Sequence, residues 1–272
     1  LLGGEAVAEQ LLPCVAQLAG DGNQYVRSAL AAGVMELAQP LGKEQTVAHL
    51  LPVLLALLRD EWPEVRLNII AKLDAMNAVV GMDLLAQSLL PAIEQLAQDR
   101  HWRVRLAIIG HVPLLAAQLG ADYFQRKLGA QCMAWLQDAV FCVREAATAN
   151  LAALAREFGE DWAREHLLPH VLGALGHANY LYRTTVLAAV GELAPCVPRD
   201  AVCQAMLPAD RVPNIRFNVA KLLERLAGLV DASVVDQVIR PTLIELTEDS
   251  DTDVRFFAHK ALTACEGLAT MT

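Results

Sequence analysis

Leucine, isoleucine, valine and alanine recur at intervals of three and four along most of the chain, as in "AQSLLPAIEQLAQD" and "VRLAIIGHVPLLAAQLG". That spacing places apolar side chains on one face of a helix and predicts amphipathic helices, with no strand-like alternation competing. The fold class expected is all-α.

The helices are organised by a repeat. Valine-arginine pairs occur at Val26-Arg27, Val65-Arg66, Val104-Arg105 and Val143-Arg144, followed by Tyr182-Arg183, Ile215-Arg216 and Val254-Arg255, so that successive arginines stand 39, 39, 39, 39, 33 and 39 residues apart. Six residues before each arginine is an aspartate, at Asp21, Asp60, Asp99, Asp138, Asp210 and Asp249, with His177 as the exception. A Leu-Pro pair keeps the same period at Leu12-Pro13, Leu51-Pro52, Leu90-Pro91, Leu168-Pro169 and Leu207-Pro208, replaced by Gly129-Ala130 in the fourth unit and Arg240-Pro241 in the seventh. Three markers on one spacing define seven repeats, approximately 1–41, 42–80, 81–119, 120–158, 159–197, a shortened 198–230, and 231–272.

Each repeat reads as two helices. The first is entered after a glycine through an acid expected to cap it, as in Gly81-Met82-Asp83, Gly120-Ala121-Asp122 and Gly159-Glu160-Asp161. Its internal proline removes one backbone hydrogen bond and should bend it. The second opens near the Val-Arg pair and ends at Gly42, Gly81, Gly120 or Gly159. Two such helices cannot bury their own apolar faces. Stacking repeat on repeat does, which predicts one right-handed α-solenoid over 1–272.

The aspartates and arginines (Asp21, Arg27, Asp60, Arg66, Asp99, Arg105, Asp138, Arg144, Arg183, Asp210, Arg216, Asp249, Arg255) then form a ladder along the core edge, pairing within a repeat or between neighbours. Solvated ion pairs are the plainer reading, but they stabilise too little to explain such strict placement. The six residues missing from the sixth repeat fall between Pro208 and Arg216.

Composition narrows the chemistry. The chain has 272 residues, 55% of them hydrophobic, and a net charge of -9. No basic field is available to hold a phosphate backbone, so nucleic acid is not an expected partner. The longest apolar run, Leu50 to Leu58, is far shorter than the roughly 20 residues that cross a bilayer, so neither is a membrane. Cys14, Cys132, Cys142, Cys196, Cys203 and Cys265 make no C-x-x-C pair and read as reduced core residues of an intracellular protein. The start "LLGGEAVAEQ" shows neither an initiator methionine nor a signal peptide and reads as the edge of a fragment, whose uncovered first helix is a self-association hazard.

No catalytic motif stands out. His166 and His170 are four apart but lack a third ligand, the other histidines are isolated, and "LTEDSDTD" has neither the glycine nor the closing glutamate of a calcium loop. No metal, no cofactor and no enzymatic activity are expected.

A different column points to binding. Three residues before each ladder arginine stand Gln24, Pro63, Trp102, Phe141, Tyr180, Pro213 and Thr252, so three consecutive repeats place an aromatic ring at one point of the same turn. On a helix Trp102 lies about 200° from the core residue Val104, which argues for an outward handle. The bland alternative lays each ring on its own arginine, Trp102 on Arg105, Phe141 on Arg144 and Tyr180 on Arg183, as cation-π pairs. Arg103, Leu181 and Asn214 are neighbours on the same edge.

The repeat resembles the HEAT repeat. More closely, "LLPVLLALLRDEWPEVRLNII", "SLLPAIEQLAQDRHWRVRLAII", "CMAWLQDAVFCVREAAT" and "NIRFNVAK" resemble the scaffolding A subunits of protein serine/threonine phosphatase 2A, in their C-terminal portion. The resemblance implies a non-catalytic scaffold, cytoplasmic and also nuclear. Its intra-repeat turns would use Trp102, Arg103, Phe141, Tyr180, Leu181 and Asn214 to hold the phosphatase catalytic subunit, with the regulatory B-type subunit bound mainly by repeats outside this chain. Another HEAT-repeat binder, such as a nuclear transport receptor gripping cargo in its concave groove, is the alternative, and a lyase built on helical repeats a more distant one.

Overall fold

The computed structural model describes residues 6–197 and 210–269, and every regular element among them is helical. The chain divides into two compact units, Leu1–Gln131 and Cys132–Thr272, where the sequence reads as one array. The first helix of the sixth repeat, with Cys203 and Leu207-Pro208, lies outside the described residues.

In the first unit the second helices of the repeats are Gln24–Gly33, Pro63–Ile70 and Trp102–Leu119. The first two carry on, after a short break, in Ala38–Gln45, which is kinked at Gly42 where the next repeat begins, and in Leu73–Val80. In the second unit they are Phe141–Phe158, Tyr180–Leu193, Pro213–Ala227 and Thr252–Ala269. The residue three before each ladder arginine is the first residue of its helix in all seven. The apolar partner marks the core in five of the seven pairs, where Val65, Val104, Val143, Ile215 and Val254 are fully buried, while Val26 and Tyr182 are half-buried. Each such burial stabilises by about 1.5–3 kcal/mol.

The first helices are not simply bent at the Leu-Pro pair. A π-helical turn precedes it at Val7–Leu11, Thr46–Leu50 and Ala163–Leu167, and precedes Arg240-Pro241 at Val235–Ile239. A proline offers no N–H and crowds the carbonyl four residues back, and a wider turn relieves that clash. The fourth repeat has the same turn at Gln125–Gly129 before Gly129-Ala130, while Met82–Leu96 runs through Pro91 as an α-helix. The wide turn therefore neither requires proline nor follows from it in every repeat.

The expected acidic caps are also different. The N-cap positions are Gly81, Gly120 and Gly159 themselves, with no side-chain capping bond, and Asp122, Glu160 and Asp161 sit inside the first turn, where they favour the positive end of the helix. These glycines and Gly42 have φ of 90°, 73°, 90° and 72°, and three of them end one helix and begin the next. Only glycine adopts that backbone without strain.

Two substitutions on neighbouring glycines test this, because an added Cβ would meet no atom within 4 Å at either site. Gly120→Ala should lower stability by about 1–3 kcal/mol in urea denaturation, whereas Gly110→Ala, in the exposed interior of Trp102–Leu119, should raise it by up to ~1 kcal/mol. Equal effects would remove the backbone argument.

Candidate protein-binding ridge

The ridge is built on the turn between the two helices of a repeat, and an aspartate shapes that turn first. The Oδ1 of Asp21, Asp60, Asp99, Asp138, Asp210 and Asp249 accepts the N–H of the residue two further on, at 2.7, 2.9, 2.8, 2.8, 2.9 and 2.8 Å. In the fifth repeat His177 takes over: its Nδ1 accepts from the Asn179 N–H at 3.0 Å. Both are short acceptors that can close an Asx-type turn.

The arginine then ties that turn to the next. Its Nη1 donates to the main-chain oxygen six residues back, in its own repeat, as Arg27 to Asp21 and Arg105 to Asp99 at 2.7 Å, Arg183 to His177 and Arg255 to Asp249 at 2.7 Å, and Arg216 to Asp210 at 2.8 Å. The other edge of the guanidinium grips the carboxylate of the following repeat. Arg27 meets Asp60 at 2.6 and 3.1 Å, Arg66 meets Asp99 at 2.8 and 2.9 Å, Arg183 meets Asp210 at 2.7 and 2.8 Å, and Arg216 meets Asp249 at 2.6 and 2.8 Å. The pairs are nearly sealed from solvent. The ladder thus joins neighbours through side chains and closes each repeat through its own carbonyl.

Electrostatics follow the geometry. Burial alone would raise the Asp60 and Asp210 carboxyls. Hydrogen bonds from Arg27 and Arg183, the turn N–H groups and the nearby positive charge bring both below the usual carboxylate value. At Asp249 the hydrogen bond from Arg216 is the largest influence and lowers it further against burial. Arg27, Arg183 and Arg216 are raised in return, chiefly by the same bonds.

Arg144 departs from the expected ladder, because His177 stands where its carboxylate would be. Its Nε donates to Thr185 Oγ1 at 3.1 Å and its Nη1 to the oxygens of Asp138 and Ala139 at 2.8 and 3.2 Å.

Above this framework sit the outward residues. In the first unit Trp102 is half-buried, with the guanidinium of Arg103 over its ring at 4.8 Å. In the second unit Phe141 is 60% exposed and lies 5.6 Å from the Arg144 guanidinium, and Tyr180 and Leu181 are exposed. Arg183 does not serve Tyr180, since its guanidinium is taken by Asp210 and by the oxygens of His177 and Ala178. Asn214 is exposed, and its side chain and main-chain oxygen both accept from Asn218.

A fixed offset of three from the arginine overlooks two rings. Tyr25, one position later and 74% exposed, and Trp62, one position earlier and also exposed, lie on the same turns of the first and second repeats. An offset allowed to range over three consecutive positions finds both. Phe256, exposed in Thr252–Ala269 and packed edge-on to Phe257, follows its ladder arginine instead.

Other candidates for chemistry thin out. Cys132 and Cys265 are core residues, and burial pushes the Cys132 thiol up to about 12, but Cys14 and Cys142 are exposed and Cys196 half-buried, against the expectation of a wholly core set. His166 packs against Trp162. No cluster of three or more His, Cys, Asp or Glu suited to a metal occurs among the described residues, and no helix among them is long and apolar enough to cross a membrane.

Disruption of one rung tests the ladder. Asp60, Asp210 and Asp249 have folded-state pKa values below their unfolded ones, so their stabilisation is complete above the unfolded value and is lost as pH falls through the folded one. Asp210→Asn should cost about 3 kcal/mol in urea denaturation near neutral pH, and the gap to the parent should close as the pH falls below the usual carboxylate range. A gap that ignores pH would show that the charge contributes nothing.

No protein-family profile matches the chain. Among curated proteins it is 42% identical over 102 residues to the A-type regulatory subunit of protein phosphatase PP2A from Saccharomyces cerevisiae, covering 33% of this chain and 16% of that protein. It is 48% identical over 56 residues to the PP2A 65 kDa regulatory subunit of Drosophila melanogaster and 55% identical over 56 residues to the alpha isoform of the 65 kDa A-type regulatory subunit of Arabidopsis thaliana, each match covering 21% of this chain and 10% of the relative. The matched stretches thus span a small part of these relatives' length. Among solved structures, Cex1p aligns with 98% of this chain and 55% of its own, at a TM-score of 0.59 and 13% identity. A chain from a structure of Kap95p with RanGDP aligns with 96% of this chain and 36% of its own, at 0.63 and 15%. At such identities the structural likeness is one of fold. In its matched stretches the chain is similar to the regulatory A subunits of protein phosphatase 2A, and its fold is an all-α array of helical repeats.

Proposed function

We propose that the chain is a non-catalytic scaffold that holds the catalytic subunit of protein phosphatase 2A on its intra-repeat turns and positions it relative to a regulatory B-type subunit. The observation that carries this reading is the exposure of aromatic rings at the first positions of the second helices, with Phe141 the most open of the expected set. Its sequence relatives are regulatory A subunits of that phosphatase, which supports the reading.

The physical case rests on preorganisation. An exposed ring stabilises a complex only in so far as it is already held where the partner needs it. Here Asp99 fixes the turn, Arg105 holds its main-chain oxygen and the buried Arg66 its carboxylate, so the ring's backbone is set before any partner arrives. Tryptophan, tyrosine and arginine are the residues that most often anchor protein interfaces. On this reading Trp102 with Arg103, and Phe141, Tyr180, Leu181 and Asn214, are the contact residues, and binding through several turns sums modest contributions. The regulatory subunit contacts repeats outside this chain, and the complex works in the cytoplasm and nucleus.

The test is direct titration of purified phosphatase catalytic subunit onto the chain by calorimetry. Trp102→Ala should weaken binding by about 1–2 kcal/mol, a roughly 5- to 30-fold rise in Kd. Failure of the unmodified chain to bind would overturn the reading, and full-strength binding by the variant would remove Trp102 from the contact set.

A further inference from the structure

The ladder has a gap in its fourth rung. Arg27, Arg66, Arg183 and Arg216 each place Nε and Nη2 on the carboxylate of the following repeat. Arg144 has the same Nη1 bond to its own repeat, but the residue in the aspartate's place is His177. The imidazole fills one of the aspartate's two roles, since its Nδ1 accepts the turn N–H of Asn179. It does not fill the other: with Nδ1 accepting, the remaining ring nitrogen carries the proton in the neutral form and offers a cation nothing.

The consequence falls on Arg144. Its residue is only 5% exposed, its Nε settles for the Thr185 hydroxyl, and its Nη2 has no acceptor among the described residues. Two rings flank it, Phe141 at 5.6 Å and Tyr182 at 5.7 Å, and His177 stands edge-on to Tyr182 at 4.6 Å. A nearly buried guanidinium matched only by neutral acceptors and ring faces is short of negative charge, which the other rungs supply within the chain. The gap opens under Phe141, the most exposed of the expected ridge residues, with Tyr180 and Leu181 on the adjacent turn.

We propose that this rung is completed in trans: an aspartate or glutamate side chain of the protein seated on the ridge reaches past Phe141 and binds Arg144 at Nη2, as the carboxylate of the next repeat does elsewhere. The proposal rests on the ridge being the docking edge for the phosphatase catalytic subunit, and it adds an acidic anchor to the aromatic ones. It also makes Arg144 and His177 determinants of which partner fits, because a carboxylate supplied within the chain would occupy the place.

His177→Asp supplies that carboxylate, and His177→Asn keeps the turn acceptor without charge. The first measurement needs no partner: sodium acetate replaces sodium chloride at constant ionic strength while melting temperature is followed. The parent and His177→Asn should gain about 2–4 °C as acetate rises, whereas His177→Asp should start higher and respond less, having filled the place already. In the second, purified catalytic subunit is titrated onto all three, and His177→Asp should bind roughly 10-fold more weakly while His177→Asn stays within about twofold of the parent. The same acetate response in all three proteins would overturn the proposal, whatever the ridge binds. Equal binding of the catalytic subunit by the parent and His177→Asp would overturn completion in trans. A differential acetate response with no catalytic subunit bound by the parent would sink the functional reading and leave Arg144 as a carboxylate site.

Discussion

A single guanidinium performs two tasks at Arg27, Arg66, Arg183 and Arg216, and the way those repeats meet their neighbours follows from that. Nη1 closes the arginine's own turn onto a main-chain oxygen, and Nε with Nη2 clamps the carboxylate of the neighbour. Lysine could not substitute, because a compact ammonium has no planar fork with two edges pointing apart. The same aspartate that receives the clamp has one oxygen on the turn N–H, so the carboxylate cannot swing away without unmaking its own loop. The sixth repeat shows what the ladder tolerates. Arg183 and Asp210 are 27 residues apart where other pairs are separated by 33, yet they meet at 2.7 and 2.8 Å. Register between these repeats is set by the clamp and not by the length of chain between its ends.

Much of this was legible because it repeats. One arginine after one aspartate means little, but six such pairs among seven arginines, spaced by 39 residues in all but one step, fix the helix pairs, the buried apolar column and the glycine boundaries together. The direction of pairing was not legible, since an acid six residues before a base can meet it within a turn or across a junction. The structure uses both, but with different atoms: carbonyl within, carboxylate across. The wide turns before the Leu-Pro pairs had no usable signal, as the fourth repeat adopts one without proline. The acids after Gly120 and Gly159 looked like caps because propensity ranks aspartate there, but a glycine with positive φ had already taken the cap position.

The ring column was legible in kind and incomplete in extent. A strict offset captures Trp102, Phe141 and Tyr180 because each opens its helix. Trp62 is instead the N-cap of its helix, displaced by Pro63, which is favoured at the first helical position by its missing N–H. Tyr25 follows Gln24 on a helix capped by Asn23, whose side chain already holds the Tyr25 N–H at 2.9 Å. In each case the turn chemistry decides which of three positions faces outward, so a periodicity in single residues underestimates a periodicity in turns.

The ladder also explains why the outer edge of these turns can be both ordered and permissive. Buried rungs lie beneath the turns, and at Arg27, Arg66, Arg183 and Arg216 the rung bonds do not use the side chain at the first helical position, which is glutamine, proline or tyrosine there, whereas the Thr252 hydroxyl accepts from Arg255 Nη2 at 3.2 Å. Sequence at the outer edge can therefore vary without cost to the repeat, while backbone position is held by atoms a few ångströms below. Arg144 is where that separation fails. There the outer ring of Phe141 and the inner cation share one contact, so whatever rests on the ring is felt by the rung, and a change in the rung alters what the ring can hold.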